Sequence, residues 1–361
     1  MLWEVGIVGI REYRLVALPG EGVGPEVVEA ALAVLAHLAT LHGFSVRVTY
    51  GLVGEPAVQQ FGTGFPEATA RLCEGADGIL FGAVSKAGLL ELRKRFDLFA
   101  NLRPVRPVKS LRHRSSIKPE KLDGVDILFV RELVSGIYFG PSGRGVDGTA
   151  PYGFHTMQYA DSEIRRIARV ALQQAQQRRR ELAIAHKENA LPCLPWTRLV
   201  QEEAAAFPDV ALVPMLVDNL AMQLVMNPQQ FDVILAGNLF GDILSDIGGA
   251  IAGSIGLLGS ASLNADGFGL YEAIHGTAPD IAGKGIANPM GTLASVELML
   301  RQWGEGTAAA HLAIAQEHLL EAGYRTADLV ASAEDRFVNT KAFTEQLIQQ
   351  LTNSKANQFK S

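Results

Sequence analysis

The chain has 361 residues, a formal net charge of −6 and a pI near 5.8, with 48% of its residues hydrophobic and 19% charged. That balance argues against a polybasic surface for nucleic acid or membrane, and the length exceeds what one hydrophobic core usually organises, so two domains are expected. Cys73 and Cys193 lack metal-ligand spacing and offer no disulfide framework, which fits a reducing cytosol.

The opening MLWEVGIVGIREYRLVALPG has no basic leader region, and Arg11, Glu12 and Arg14 interrupt its apolar run, so no signal peptide is expected. No uninterrupted apolar run approaches the roughly 18–20 residues of a membrane helix. The expectation is a soluble, cytoplasmic protein. Tyr13–Leu18 reads as a short strand, and PGEGVGPEV turns into a helix reaching about Leu41. A strand over Ser45–Tyr50 follows, then a buried strand in ADGILFGAV (76–84). VDILFVREL (125–133) and ELAIAHKEN (181–189) are apolar strands ending in charge. The stretch 138–159 is Gly-rich without helical period and reads as a β-hairpin arm or functional loop. QQAQQRRRE (173–181) reads as the exposed end of a helix starting near Asp161. FDVILAGNLFGDILSD (231–246) is a strand running into a helix, and TNSKANQFKS reads as a frayed tail. Strands alternating with helices imply an α/β fold with a largely parallel core. Such sheets bind ligands at the C-terminal ends of their strands, where charge recurs here.

Asp242 and Asp246 are four apart and share a helix face, where their like charges repel unless a cation or base lies between them. Oxygen-only ligands suit Mg²⁺ or Mn²⁺ rather than Zn²⁺. On spacing alone, two exposed charges, or Asp242 as a helix cap, are the better explanation. Asp218, at the end of another apolar strand, adds a third carboxylate and favours the metal. Arg93, Arg103 and Arg131 could together grip a dicarboxylate through bidentate forks. The competing reading for Arg93 is ion pairing with Glu91, Asp97 or Glu132. Lys187, closing an apolar strand, is a candidate general base, and Tyr138 a candidate proton donor in its company. LPGEGVGPEV has the spacing GxGxG and no acidic residue closing the next strand, so a tight turn into a helix is the better reading than a dinucleotide fingerprint. The stronger cofactor loop is YEAIHGTAPDIAGKGIANP (271–289), where His275, Gly276, Thr277, Ala278, Ile281 and Asn288 surround Asp280. Backbone N–H groups there can cradle phosphate or adenine. The Asp280 carboxylate can accept from ribose hydroxyls and would repel a 2′-phosphate, so NAD is expected over NADP.

With these residues assembled, the sequence resembles the β-decarboxylating dehydrogenases of isopropylmalate, isocitrate, homoisocitrate and tartrate/D-malate, from Leu18 to about Phe343. NLFGDILSD followed by GSIGL is similar to the family signature, and HGTAPDIAGKGIANP to its NAD-binding loop; NADP-dependent relatives usually carry Lys at the place of Asp280. GLLELRK and RELVSGIYFG resemble the 3-isopropylmalate branch, in which the pair Leu89 and Leu90 meets the apolar substituent. The resemblance implies an isopropylmalate/isocitrate dehydrogenase-like α/β fold, not a Rossmann fold. Its two discontinuous domains would carry a parallel or mixed sheet, one of 1–98 plus 254–361 and one of 99–253, the second bearing a β-hairpin arm at 138–159. It implies a homodimer with shared active sites. Arg93, Arg103 and Arg131 would hold the substrate carboxylates, Asp242 and Asp246 the metal together with the other subunit's copy of Asp218. Lys187, also crossing between subunits, would be the base and Tyr138 the proton donor to the enol. The chain also departs from that branch. Only Ser85-Lys86-Ala87 separates the GAV strand from Gly88, and Lys86 stands near a usual acid. His186 stands where Asp is common, and Lys187 is followed by Glu188-Asn189-Ala190 where the branch reads Ala-Asn-Val, so Ala190 thins an apolar wall. A trimmed loop and a smaller wall enlarge the substituent pocket. A bulkier substrate, with 3-benzylmalate of a homophenylalanine pathway as the natural candidate, therefore stands beside a leucine-biosynthesis role on 3-isopropylmalate. A catalytically silent NAD-binding protein on this fold is disfavoured, since every catalytic position is filled.

Overall fold

The computed structural model describes residues 11–358; the first ten residues, and with them half of the leader reading, lie outside that range. In chain order the strands are β1 (Arg11–Gly20), β2 (Phe44–Tyr50), β3 (Gly78–Ala83), β4 (Ala100–Val105), β5 (Ile127–Glu132), β6 (Ser142–Asp147), β7 (Ala150–His155), β8 (Glu181–His186), β9 (Ala211–Leu216), β10 (Val233–Ala236), β11 (Gly259–Leu263) and β12 (Gly269–Ala273). Of these, all but β6 and β7 form one ten-stranded sheet in the order β2-β1-β3-β12-β11-β4-β5-β10-β8-β9, and two further short strands, β13 (Tyr324–Arg325) and β14 (Arg336–Phe337), pair with each other. Pairing is parallel in both wings and antiparallel where β12, β11, β4 and β5 meet. The wing holding β1–β3 is closed by β12, so the first and last thirds of the chain share one end of the sheet.

The helices are α1 (Gly24–His42), α2 (Glu55–Phe61), α3 (Glu67–Glu74), α4 (Leu89–Arg95), α5 (Asp161–Gln176), α6 (Trp196–Glu203), α7 (Val217–Met226), α8 (Asn238–Ala252), α9 (Met290–Gln302), α10 (Gly306–Glu321) and α11 (Thr340–Gln358). Helices cover the sheet, which is why GILFGA in β3 and ILFVRE in β5 are buried at every residue. Helix α1 has Pro25 in its first turn and stops at Gly43, whose φ of 78° is left-handed. Counting uninterrupted apolar residues underrates α1: its length and mean hydropathy of 1.3 suffice for a membrane span. Its apolar stripe of Val27, Val28, Ala31, Val34, Leu35 and Leu38 is instead packed into the protein core.

PGEGVGPEV is the tight turn expected. Gly20 has φ +70°, and a Cβ there would lie 2.1 Å from the Ala83 carbonyl oxygen, so the loop closes directly on β3. The stretch 138–159 contains the hairpin β6–β7, exposed at every position except the half-buried Gly145. Its outward Val146 is 66% exposed, with Tyr152 and Phe154 beside it. Two expectations need correction. Residues 352–358 continue α11 rather than fraying. The basic run after α5 is not merely a solvated helix end: Arg178 donates to Asp126 and to the buried Asp232, 2.8 Å each, tying the turn before β8 to the sheet.

Candidate active site

A cleft of about 320 Å³ opens at the C-terminal ends of β3, β12, β5 and β10, where the sheet changes strand direction. Arg93 enters from α4, Arg103 from β4 and Arg131 from β5, and all three are buried. Tyr138 enters from the short turn Gly136–Tyr138, Asp242 from α8, and His275 with Gly276 from the loop after β12. Leu89 and Leu90 line one wall, and Leu90 remains 43% exposed.

Each arginine is held by a different set of partners. Arg93 Nη2 donates to Glu272 Oε1 at 2.7 Å, with only 8% and 9% of the two side chains exposed. None of the three partners proposed from sequence is used. Glu91 accepts the Gly88 N–H, Asp97 pairs with Arg166, and Glu132 accepts the N–H groups of Val134 and Ser135. Arg103 donates to Asn101 Oδ1 at 2.9 Å, Ser245 Oγ at 2.8 Å and Asp246 Oδ1 at 3.3 Å. Arg131 donates to Asn238 Oδ1 and to Asp242 Oδ1. Burial, with Arg103 alongside, lowers the Arg131 pKa to about 10, so it stays a cation at neutral pH.

The pair Asp242 and Asp246 does share one face of α8, and that face meets Arg103. Burial and the neighbouring Asp242 push the Asp246 carboxyl above its usual range although Arg103 opposes the shift. Two carboxylates on one helix face, each still offering oxygens beside its arginine contact, are a donor set that fits a hard dication. Among the described residues no three His, Cys, Asp or Glu side chains gather into a metal-binding group within one chain. The Tyr138 hydroxyl donates to Asp242 Oδ2 at 3.2 Å; burial and then Asp242 raise its pKa, so it carries its proton at neutral pH.

Lys187 and Asp218 meet each other, Nζ to Oδ1 at 2.7 Å, and that bond lowers the Asp218 pKa. Lys187 directly follows β8, and Asp218 stands in the first turn of α7. Neither lines the main cleft, and Asn189 and Ala190 lie exposed on the turn beyond β8. The fold thus brings Arg93, Arg103, Arg131, Tyr138, Asp242 and Asp246 together and leaves Lys187, Asn189, Ala190 and Asp218 on a separate surface.

In the loop after β12 the Thr277 carbonyl accepts the Val23 N–H at 2.9 Å, so the loop rests on the first glycine turn. Ala278 and Ile281 pack on Val23, Val27 and Ala287. Asn288 is committed locally, its amide donating to Asp328 and its oxygen accepting from the Met290 N–H. Asp280 is exposed, and His275 Nε2 is buried with no partner, a group available to a cofactor at the cleft rim. Sequence reasoning missed Glu272 and Asn238. A lone carboxylate inside the buried strand GLYEA was the available signal for the first; nothing in NLF distinguishes the second from a helix cap.

The chain matches the isocitrate/isopropylmalate dehydrogenase family over residues 14–347. It is 46% identical to the 3-isopropylmalate dehydrogenase of Methylococcus capsulatus across 93% of this chain and 98% of that one. It is 48% identical to that of Nitrosomonas europaea across 88% and 93%. Among solved structures it superposes on an isocitrate dehydrogenase from Methylococcus capsulatus with a TM-score of 0.85 at 31% identity, covering 94% of this chain and 99% of that one. A β-decarboxylating dehydrogenase from Thermococcus kodakarensis gives 0.78 at 32%, covering 94% and 96%. By these matches the chain belongs to the isocitrate/isopropylmalate dehydrogenase family, as an oxidoreductase on its 3-isopropylmalate dehydrogenase-like branch.

Proposed function

We propose that the protein oxidises and decarboxylates a 3-substituted malate, with NAD and Mg²⁺ or Mn²⁺ as cofactors and as a homodimer. The observation that carries this reading is the set of three buried arginines facing one cleft beside Tyr138 and Asp242. Arg93, Arg103 and Arg131 bind the two substrate carboxylates, each already fixed by a neighbour and therefore pre-oriented. A dication held by Asp242 and Asp246 would supply Lewis-acid polarisation of the substrate hydroxyl, and NAD held by the loop after β12 would supply the hydride acceptor. Asp242 and Asp246 hold the metal from one subunit. Asp218 and Lys187 of this chain serve the cleft of the second subunit, where Lys187 accepts the hydroxyl proton. The ketone then allows the β-carboxylate to leave as CO₂, and Tyr138 delivers a proton to the enol that remains. His275, Gly276, Thr277, Ala278, Asp280, Ile281 and Asn288 form the NAD side.

The strand order supports domains of 1–98 plus 254–361 and of 99–253, since the first and last thirds share a wing. Dimerisation is supported by apolar side chains left exposed on α7 and α8, namely Met222, Val225, Met226 and Ile243, and by the bare hairpin β6–β7. A second reading concerns the β-substituent. Leu90 is left uncovered at the cleft, and only Ser85, Lys86 and Ala87 separate Val84 from Gly88, which leaves room for a benzyl group. The test is kcat/KM with NAD and Mg²⁺ on 3-isopropylmalate and 3-benzylmalate side by side. A preference for the first assigns leucine biosynthesis, and a preference for the second assigns the enlarged pocket. Turnover of neither overturns the proposed reaction.

A further inference from the structure

We infer that Asn238 is a positioning residue that locks the Arg131 guanidinium and the turn carrying Tyr138 into one arrangement, an inference that rests on the substrate role proposed for Arg131. Asn238 opens α8, a place where asparagine ordinarily caps the helix. Here Gly237 occupies the cap position and the amide makes no capping bond. The side chain is fully buried, so its polar atoms must be satisfied internally. Oδ1 accepts from Arg131 Nε at 3.2 Å and Nη2 at 2.8 Å, and Nδ2 donates to the Ser135 carbonyl at 2.8 Å.

Guanidinium chemistry makes this specific. Of the five N–H groups of arginine, Asn238 takes those on the Nε edge and Asp242 takes one on Nη1. One N–H on each terminal nitrogen remains to meet a carboxylate. With Asp242 already paired to Nη1, a neutral amide sets this orientation without adding a second carboxylate to the cation. The Ser135 end is equally constrained. Glu132, next to Arg131, accepts the N–H groups of Val134 at 3.2 Å and Ser135 at 3.0 Å. The chain then turns at Gly136, with φ +79°, where a Cβ would lie 2.3 Å from the Tyr159 hydroxyl. That same hydroxyl accepts the Asn238 backbone N–H at 2.8 Å. The carboxylate-gripping arginine and the proton-donating tyrosine, which both touch Asp242, therefore share one buried amide as their common reference.

The test is calorimetric binding of 3-isopropylmalate and 3-benzylmalate, with Mg²⁺, to the full-length wild type, Asn238→Ala, Arg131→Lys and the double variant. NAD affinity and Tm are followed in parallel. Asn238→Ala should weaken malate binding about tenfold to hundredfold, the range expected for charge-assisted bonds, and leave NAD affinity unchanged. In the Arg131→Lys background the same change should alter malate binding less than about twofold, because the amide acts through the guanidinium. Equal weakening in both backgrounds, or none in the wild type, overturns the inference. Asn238→Asp keeps the shape and the acceptor and covers the case in which alanine fails to fold. It should also weaken malate binding, by adding a second carboxylate to Arg131 beside Asp242, and wild-type affinity in that variant refutes the inference too. A wild type that binds neither malate overturns the proposed function and this inference together, whereas binding indifferent to Asn238 overturns the inference alone.

Discussion

Replacing Glu132 by glutamine tests the electrostatics of this site without touching a group that meets substrate. Glu132 is fully buried at the end of β5; burial raises its carboxyl from 4.5 to about 7, against the opposing effect of two backbone N–H groups, with Arg166 still 4.0 Å away. A carboxyl whose pKa is raised on folding contributes stability that is complete below its unfolded pKa and is lost as pH climbs through the folded one. At about 1.4 kcal/mol per pH unit, the full loss is about 3 kcal/mol, of which about 2.5 kcal/mol develops between pH 5 and pH 8. With an unfolding entropy of about 2.1 cal/mol/K per residue, that is about 3 °C for a chain of this length. Glutamine cannot ionise, so the Tm of Glu132→Gln minus that of the wild type should rise by about 3 °C across this range. Calorimetric melts at pH 5, 6, 7 and 8 measure it. Any constant offset from a lost hydrogen bond cancels in the comparison. A difference flat to within about 1 °C would show that Glu132 is ionised in the folded protein throughout, and the reasoning would fail.

Glu272→Ala should leave Arg93 as an unpaired buried cation and cost about 3–5 kcal/mol in urea unfolding; a loss below about 1 kcal/mol would mean that Arg93 finds another partner. Asp242→Asn should abolish metal-dependent NADH formation while Tm stays within a few degrees of wild type, and retained full activity would dismiss the metal assignment. Asp280→Lys should raise the KM for NAD about tenfold or more by removing the ribose acceptor; unchanged NAD kinetics would sink that reading. Replacing Tyr152 and Phe154 by serine should shift the protein toward monomer in size-exclusion chromatography and lower turnover, because Lys187 and Asp218 would no longer reach a second cleft. An intact dimer would remove the arm from the interface.

Runs of apolar residues sufficed for the strands with a continuous apolar body. β3, β5 and β8 are runs of buried residues bounded by turns, and α1 carries an apolar stripe closed by Gly43. That signal failed for β4, β11 and β12. ANLRPV, GSASL and GLYEA carry polar or charged side chains inward, toward the cleft and its neighbours, so they do not read as core strands. The residues lost from view are those that make the site. Asn101 orients Arg103, and Glu272 pairs with Arg93 from 179 positions away.

By itself the sequence singled out the candidate groups: three arginines, two carboxylates one helical turn apart, a tyrosine, and a loop with Asp280. These follow from local rules, since i,i+4 spacing and the ends of apolar strands are properties of short segments. Only the tertiary structure decided who holds whom. It gave Arg93 to Glu272 and Arg131 to Asn238, and it set Lys187 with Asp218 apart from the cleft. The physical reason is that burying a charge demands a partner within hydrogen-bond reach, and which partner arrives depends on how strands far apart in the chain are ordered in one sheet.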